Sequence, residues 1–293
     1  MELDDLTSFT SNVPDVYVQS EGEFEKMLVI KDNIEDSSYI LNSCFDIPRH
    51  YFEAIGSNEM LTDNIINAAQ KMLLCQYPNA KGLQDPILGQ NLSFSILKDE
   101  EFVQVLHDGC AHWFAISTVN CLSGHVFVMD SYFRGKLSHA TMRQICSIIR
   151  CPLSKIKVTV LPVQQQTNGI DCGIYAIAFV QYLLHFKDYP TNVNFDQTKL
   201  RTELLNSFKN NYLSLFSTTT NNVRRNVEKE IYLDLYCTCR MIWVPSDKNI
   251  FGRHMVECSG CLQWFHRMCE IISDNVLNDD NINWHCSTCD KIK

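Results

Sequence analysis

Eight potential metal ligands stand at regular spacing in the last 57 residues, and this pattern constrains the fold more than any other feature of the chain. The ligands form the pairs C-x-C, C-x2-C, H-x2-C and C-x2-C, separated by eighteen, four and sixteen residues. Zinc takes four such ligands in a tetrahedron, so eight predict two closed, structural sites without an open position. The predicted ligands are Cys237, Cys239, Cys258, Cys261, His266, Cys269, Cys286 and Cys289.

Charge and apolar patterning indicate an intracellular protein. The first twenty residues are acidic and polar, unlike a secretory signal, and the longest apolar run, 173–180, is too short to span a bilayer. A reducing compartment disfavours disulfides, so metal binding is the better explanation of the C-terminal cysteines. The 25 Lys and Arg against 34 Asp and Glu give a net charge of −9. We therefore expect no direct nucleic-acid partner and no membrane partner.

Hydrophobic periodicity predicts a mixed domain of helices and strands before the metal module. The predicted strands are 24–30, 102–106, 112–119, 125–129 and 156–163, and the predicted helices are 62–76, 138–150, 172–186 and 198–210. The polar stretch near residue 218 favours a linker. The predicted organisation is a loose N-terminus over 1–20, a first domain over 21–217, a linker over 218–232 and the metal module over 233–293.

The metal module resembles a PHD finger. It follows the family order of four cysteines, one histidine and three cysteines, and Trp284 stands at the family's packing tryptophan, two residues before the seventh ligand. The resemblance implies a cross-braced, two-zinc finger. One zinc would be held by Cys237, Cys239, His266 and Cys269, and the other by Cys258, Cys261, Cys286 and Cys289.

Three further positions of the finger match a subclass that binds methylated lysine on histone tails. Tyr236 precedes the first ligand, Met255 lies three residues before the third, and Trp264 precedes Phe-His. A methylated ammonium group is attracted to aromatic faces, and methionine supplies a polarizable wall. The alternative is that the three side chains pack a very small core. The resemblance predicts a methylated histone tail as a partner and a nuclear location, with the cytoplasm as the alternative.

Cys172 is the strongest candidate for a nucleophile among the remaining cysteines. It follows an Asn-Gly turn and begins a predicted buried helix, whose N-terminus stabilises a thiolate. His112 and Asp130 lie at ends of predicted neighbouring strands, where they can act as base and orienting acid. Gln166 can donate to an oxyanion together with the Cys172 N–H. Each residue alone has an ordinary structural explanation, so the prediction depends on the combination.

This combination resembles the sentrin-specific proteases, which process SUMO and related ubiquitin-like modifiers. The matching motifs are His112-Trp113, Asp130-Ser131, Gln166 through Asp171-Cys172-Gly173, and Met60-Leu61-Thr62-Asp63. The resemblance covers about residues 24–215 and implies an α+β, papain-like cysteine protease domain without a catalytic cofactor. It implies substrate contacts at Trp113 and Met60, and Gly173 would let another chain approach the sulfur closely. Met60 replaces the tryptophan with which the family covers the modifier's Gly-Gly tail.

The predicted function is therefore a cysteine peptidase or isopeptidase that cleaves after the small-residue tail of SUMO or another ubiquitin-like modifier. The finger would target the enzyme to chromatin through a methylated histone tail. Two alternatives stay open at this point. One is a catalytically silent chromatin reader or scaffold, and the other is a protease that processes the polyprotein of a mobile element, because such elements encode similar pairs of modules.

Overall fold

A computed structural model describes residues 47–57, 59–244, 255–267, 269–279 and 282–291, which include most of the first domain and of the metal module. Backbone contacts divide the chain into two units, Met1–Asp46 and Ile47–Lys293. All described residues lie in the second unit. The predicted loose N-terminus and the predicted strand at 24–30 lie outside the described residues.

A five-stranded sheet forms the centre of the second unit. Its order is β1-β2-β3-β4-β5, with β3 and β4 parallel and the other neighbours antiparallel. The strands are β1 Val103–His107, β2 Trp113–Ser117, β3 His125–Met129, β4 Lys155–Val160 and β5 Lys229–Asp234. Strand β2 is buried along its whole length, which explains its continuous apolar run.

Helices cover the sheet and supply the rest of the core. Helix α4 is apolar all round because it is buried against β1, β2 and α2. The helices of the first domain are α1 Arg49–Gly56, α2 Asp63–Gln76, α3 His139–Ile149, α4 Cys172–Phe186 and α5 Leu200–Lys209. Short 3-10 turns form at Pro86–Asn91 and Pro190–Asn192. None of the helices in the described ranges combines the length and apolar content that a membrane span requires.

Strand β5 adds a fifth strand to the sheet within the segment for which the sequence predicts a linker. It pairs with the whole of β4, from Lys155 opposite Asp234 to Val160 opposite Lys229. Alternate residues face the core, and Leu233 is buried there. The predicted linker therefore does not describe the chain from Lys229 onward, because this strand depends on partners 69 to 79 residues away in sequence, from Val160 with Lys229 to Lys155 with Asp234.

The chain after β5 continues into the core of the first domain before the finger is complete. Leu235, Met241, Ile242 and Val244 are buried in the same hydrophobic cluster as β3, β4 and α3. Arg240 donates hydrogen bonds to carbonyl oxygens of the loop before β4, at 3.0 and 3.1 Å. The start of the finger is thus packed into the first domain.

The rest of the finger is small and held by few elements. Strands β6 Met255–Glu257 and β7 Trp264–His266 form an antiparallel hairpin, and two short helices follow, α6 Asp274–Asn278 and α7 Ser287–Asp290. Phe265 packs edge-on against Trp284, with ring centroids 5.6 Å apart. Several ligand cysteines belong to this core, so metal binding and packing are linked.

Candidate active site and metal centres

The loop between β1 and β2 holds His112 in a fixed turn. The Asp108 carboxylate accepts hydrogen bonds from the backbone N–H groups of Cys110, Ala111 and His112, at 2.8, 3.0 and 3.0 Å. The Asp108 N–H in turn donates to the His112 carbonyl oxygen at 2.9 Å. Aspartate favours such turns because its short side chain satisfies the local backbone. The histidine backbone is therefore set before β2 begins.

Asp130 follows β3 directly and orients the His112 ring. The carboxylate oxygen Oδ1 of Asp130 lies 2.7 Å from His112 Nε2, and both side chains are largely buried. Pairing of Ala115 with Met129 brings these two strand ends together. The same Oδ1 accepts a hydrogen bond from the Tyr132 N–H at 2.8 Å. Because Nε2–H donates to Asp130, the Nδ1 atom of His112 is left to serve the sulfur.

Cys172 is the first residue of α4, is 1% exposed, and interacts with His112 through its side chain. Burial lowers the pKa of His112, but the hydrogen bond to Asp130 and the interaction with Cys172 outweigh burial and raise that pKa to about 10. The imidazole is therefore protonated at neutral pH, the form that stabilises a neighbouring thiolate. The N-terminus of α4 stabilises the same negative charge.

Gln166 lies next to these residues, and two neighbours hold its side chain. Its Oε1 accepts a hydrogen bond from Ser131 Oγ at 2.7 Å, and its Nε2 donates to the Asn168 carbonyl oxygen at 2.6 Å. The amide nitrogen carries two hydrogens, so one remains for an oxyanion beside the Cys172 N–H. The oxyanion role of Gln166 stays a prediction, and the two hydrogen bonds define where its side chain sits.

Met60 and Trp113, two predicted substrate contacts, line one groove of about 870 Å³. Trp113 is buried, and its Nε1–H donates to the Leu61 carbonyl oxygen at 2.9 Å. Its ring also packs on His107, with centroids 4.5 Å apart. Met60 is half-buried. Trp113 thus fastens the segment that carries Met60 to the strand that follows the catalytic histidine.

Gly173 packs closely against its neighbours, and its predicted role in substrate approach stays a prediction. A Cβ atom at this position would lie 3.1 Å from Leu61 Cβ, 3.1 Å from Ile66 Cδ1 and 3.3 Å from Trp113 Cδ1. Any larger side chain would crowd α2 and β2. We therefore attribute the glycine to close packing of α4 against these elements.

Sequence reasoning missed residues that support the catalytic side chains. Asp108 carries a local signal, because an aspartate just before a short turn is typical of Asx-type capping. Ser131 is part of the Asp-Ser motif, but its contact with Gln166 spans 35 positions. Arg201 pairs with Asp171, with Nε 2.9 Å from Oδ1, across 30 positions. No local pattern signals such long-range contacts.

The eight C-terminal ligands gather into two groups, and within each group the ligand atoms lie within 4.8 Å of one another. The groups are Cys237, Cys239, His266, Cys269 and Cys258, Cys261, Cys286, Cys289, as the sequence predicts. Cys239 Sγ lies 3.3 Å from His266 Nδ1, and Cys261 Sγ lies 3.9 Å from Cys286 Sγ. Cysteine ligands about 2.3 Å from one zinc ion stand about 3.8 Å apart in a tetrahedron. Both groups therefore fit a tetrahedral metal ion, which would tie distant segments of the finger together.

Two of the three predicted cage positions lie on the β6–β7 hairpin, and the third lies beside it. Met255 pairs with His266, and Glu257 pairs with Trp264, so Met255 and Trp264 are diagonal neighbours on one face. Trp264 is 44% exposed, while Met255 and Tyr236 are half-buried. The N–H of the residue after Tyr236 donates to the Trp264 carbonyl oxygen at 3.0 Å, which brings Tyr236 beside the hairpin.

Residues 98–215 match the family model described as the Ulp1 protease family, C-terminal catalytic domain. The candidate residues His112, Asp130, Gln166 and Cys172 all lie inside the matched segment. This segment, less than half of the chain, is thus similar to the catalytic domain of the Ulp1 protease family. An α+β domain that contains this segment is followed by a module with two groups of potential metal ligands.

Several solved structures are similar to parts of the chain. One is yeast Ulp1 in complex with SMT3, the yeast SUMO, at 18% identity over 57% of this chain and 85% of that chain, with a TM-score of 0.45. A SUMO protease Ulp1 with its catalytic cysteine oxidised to a sulfonic acid gives 18% identity, 57% and 86% coverage, and a TM-score of 0.46. The Xanthomonas campestris effector XopD bound to ubiquitin gives 14% identity, 60% and 98% coverage, and 0.39.

Curated relatives match a short part of the chain. Lysine-specific demethylase 7A of Danio rerio is 38% identical over 58 residues, which is 20% of this chain and 6% of that protein. Lysine-specific demethylase phf2 of Danio rerio is 37% identical over 57 residues, 20% of this chain and 5% of that protein. The chain thus spans only a small fraction of the length of these relatives.

Proposed function

We propose that the catalytic domain cleaves the bond after the small-residue C-terminal tail of SUMO or another ubiquitin-like modifier, in precursors and in conjugates. One observation carries the proposal: inside the Ulp1-family segment, His112 lies 2.7 Å from Asp130 and interacts with the buried Cys172. A buried sulfur favours a slender, extended peptide end over a bulky side chain. Met60 stands where the family has the tryptophan that covers the modifier's tail, so the experiment below compares several ubiquitin-like modifiers.

The residues account for a two-step acyl transfer. The Cys172 thiolate attacks the carbonyl carbon of the last tail residue, and the Cys172 N–H and Gln166 stabilise the oxyanion. The oxyanion collapses as His112 gives its proton to the leaving amine, so the C–N bond breaks and a thioester forms. Neutral His112 then takes a proton from water, whose oxygen attacks the thioester. The thiolate leaves, the acid product is released, and His112 is protonated again.

A panel of modifiers with electrophilic C-termini tests this proposal. SUMO, ubiquitin and related modifiers carrying such a group are incubated with the purified protein, and adducts are detected by intact mass. We expect an adduct with at least one modifier, lost in Cys172→Ala and kept in Cys110→Ala, because Cys110 is exposed and outside the triad. If the unaltered protein reacts with no modifier while a generic thiol reagent labels Cys172, the deconjugation proposal is wrong. A protein in which Cys172 is inert to both supports the silent scaffold instead.

We further propose that both ligand groups hold zinc and that the finger binds a methylated lysine of a histone tail. The protein would then act in the nucleus, close to modified chromatin proteins, where recruitment raises its local concentration. The support is the shared position of Tyr236, Met255 and Trp264 and the exposed Trp264 ring. Such a ring attracts a methylated ammonium group through its π-face.

Binding of trimethyl-lysine histone H3 peptides to the full chain tests the finger. We expect affinity in the micromolar range, lost in Trp264→Ala with the zinc content unchanged. Trp243→Ala is a matched control, because Trp243 is 45% exposed and Trp264 is 44% exposed. Equal binding of the unmethylated peptides, or equal loss in the two variants, would refute the cage.

A further inference from the structure

We propose that Arg201 is a positioning residue of the protease site, which joins the nucleophile turn to the segment that carries Met60. The importance of Met60 for substrate rests on the function proposed above. The contacts of Arg201 stand independently of that function, because they link two parts of the chain next to Cys172.

The Arg201 side chain spans the gap between two segments. It projects from α5 and is 17% exposed. Its Nε donates to Asp171 Oδ1 at 2.9 Å. Its Nη1 donates to the carbonyl oxygens of Ser57 and Ile55 at 2.6 and 3.2 Å, at the end of α1. Its Nη2 donates to the Glu59 carbonyl oxygen at 2.7 Å. The planar, fork-shaped guanidinium group of arginine carries several N–H donors, so it can bind acceptors in two segments at once.

Asp171 places a buried negative charge directly before Cys172. Its side chain is 6% exposed and makes no capping hydrogen bond to α4. Oδ2 accepts hydrogen bonds from Asn168 Nδ2 and Gln197 Nε2, at 2.6 and 3.0 Å. Both of these donors are neutral, so Arg201 supplies the positive charge that a buried carboxylate requires.

The backbone on both sides of Met60 is fastened by side chains of the catalytic domain. The Glu59 carbonyl oxygen accepts a hydrogen bond from Arg201 Nη2, and the Leu61 carbonyl oxygen accepts one from Trp113 Nε1 at 2.9 Å. Methionine has a flexible side chain that alone defines a position poorly. The two hydrogen bonds therefore fix the backbone from which Met60 projects.

Trp113 and Arg201, the two residues that hold the backbone around Met60, are each linked to a catalytic residue. Trp113 follows His112, and Arg201 pairs with Asp171, which precedes Cys172. The base and the nucleophile are thereby tied to the same short segment. A site built in this way keeps the substrate-covering residue in register with the reacting atoms.

Loss of Arg201 should have two separable effects. The first is a loosened segment at 55–61, which weakens substrate binding. The second is a buried Asp171 carboxylate without its cationic partner, directly before Cys172 in sequence, which should lower the reactivity of the sulfur. Neither effect alters the His112–Asp130 pair, which interacts with Cys172.

Three variants separate these effects. Arg201→Gln removes both the charge and the fork. Arg201→Lys keeps a positive charge near Asp171 but cannot form the planar fork. The double variant with Asp171→Asn and Arg201→Gln restores charge balance without restoring the fork. Arg225→Gln is the matched control, because Arg225 also donates to two backbone carbonyl oxygens, those of Thr191 and Val193, at 2.7 and 2.8 Å.

Three measurements on the full chain read out the effects: hydrogen exchange across 55–61, KM and kcat for SUMO carrying C-terminal aminomethylcoumarin, and the rate of Cys172 alkylation by iodoacetamide across neutral pH. We expect all three Arg201 variants to exchange faster at 55–61 and to raise KM about tenfold or more, with a smaller change in kcat. Alkylation should slow in Arg201→Gln alone and recover in the other two.

A folded Arg201→Lys protein with unchanged exchange and KM would overturn the proposal, even if Arg201→Gln fails to fold. Equal changes in Arg225→Gln would also overturn it, because they would show a general structural effect. If the unaltered protein does not cleave the SUMO substrate, the proposed function fails. Exchange and alkylation then still decide the role of Arg201.

Discussion

Substitution of Ile242 tests whether the start of the metal-binding module contributes to the stability of the catalytic domain. It stands between the first and second ligand pairs in sequence, yet it is 5% exposed and belongs to the core cluster of β3, β4 and α3. Ile242→Ala removes three carbon atoms from this core without touching a ligand or the triad. The expected result is destabilisation of the catalytic domain.

The size of the effect follows from burial. Truncation of a buried isoleucine to alanine costs about 2–5 kcal/mol, and the position of Ile242 at the edge of the cluster favours about 2–3 kcal/mol. In a domain of this size each kcal/mol lowers Tm by about 2–4 °C. The catalytic domain should therefore unfold about 4–12 °C lower.

Thermal unfolding followed by near-UV circular dichroism, with zinc content measured in parallel, provides the assay. Ile271→Ala is the matched control, because Ile271 lies in the finger and is fully exposed. It should change stability by less than about 0.5 kcal/mol. An Ile242→Ala protein that loses zinc while its catalytic domain keeps the original Tm would refute the packing argument.

Two further predictions concern charge and metal. In Asp130→Asn the pKa of His112 should fall from about 10 toward its ordinary value, because the carboxylate that raises it is gone. Since the imidazolium is then lost earlier as pH rises, the alkaline limb of the kcat/KM profile should move to lower pH, and an unchanged limb would contradict the assigned pair. Chelation of the metal should lower the Tm of the catalytic domain as well as that of the finger, because Cys237 and Cys239 flank residues packed in the catalytic core. Calorimetry that shows only the finger melting earlier would contradict this coupling.

Elements with a strong local pattern could be predicted from the sequence. The helix at Cys172–Phe186 and the strand at His125–Met129 have the predicted bounds, and the helix predicted over 62–76 begins one residue later, at Asp63. Their apolar residues repeat at helical or strand spacing, so the local sequence already indicates which face of each element is buried. The grouping of the eight ligands followed from the resemblance to a PHD finger, whose cross-braced pairing fixes which pairs share a metal.

Features that depend on distant partners could not be predicted. Strand β5 carries charged residues, and its place is set by β4, through Lys155 with Asp234 and Lys157 with Glu230. The contact of Arg201 with Asp171 joins two helices and leaves no trace in either local sequence. Gly173 is a similar case, since only the neighbouring α2 and Trp113 reveal that its missing side chain faces inward.

The site of covalent labelling tests the central claim most directly. The protein is treated with the modifier probe that reacts fastest, digested, and the modified residue is identified by mass spectrometry, in the original chain and in His112→Ala. We predict the adduct on Cys172 in the original chain and its loss in His112→Ala. An adduct on Cys110, or one on Cys172 that forms at the same rate without His112, would contradict the account.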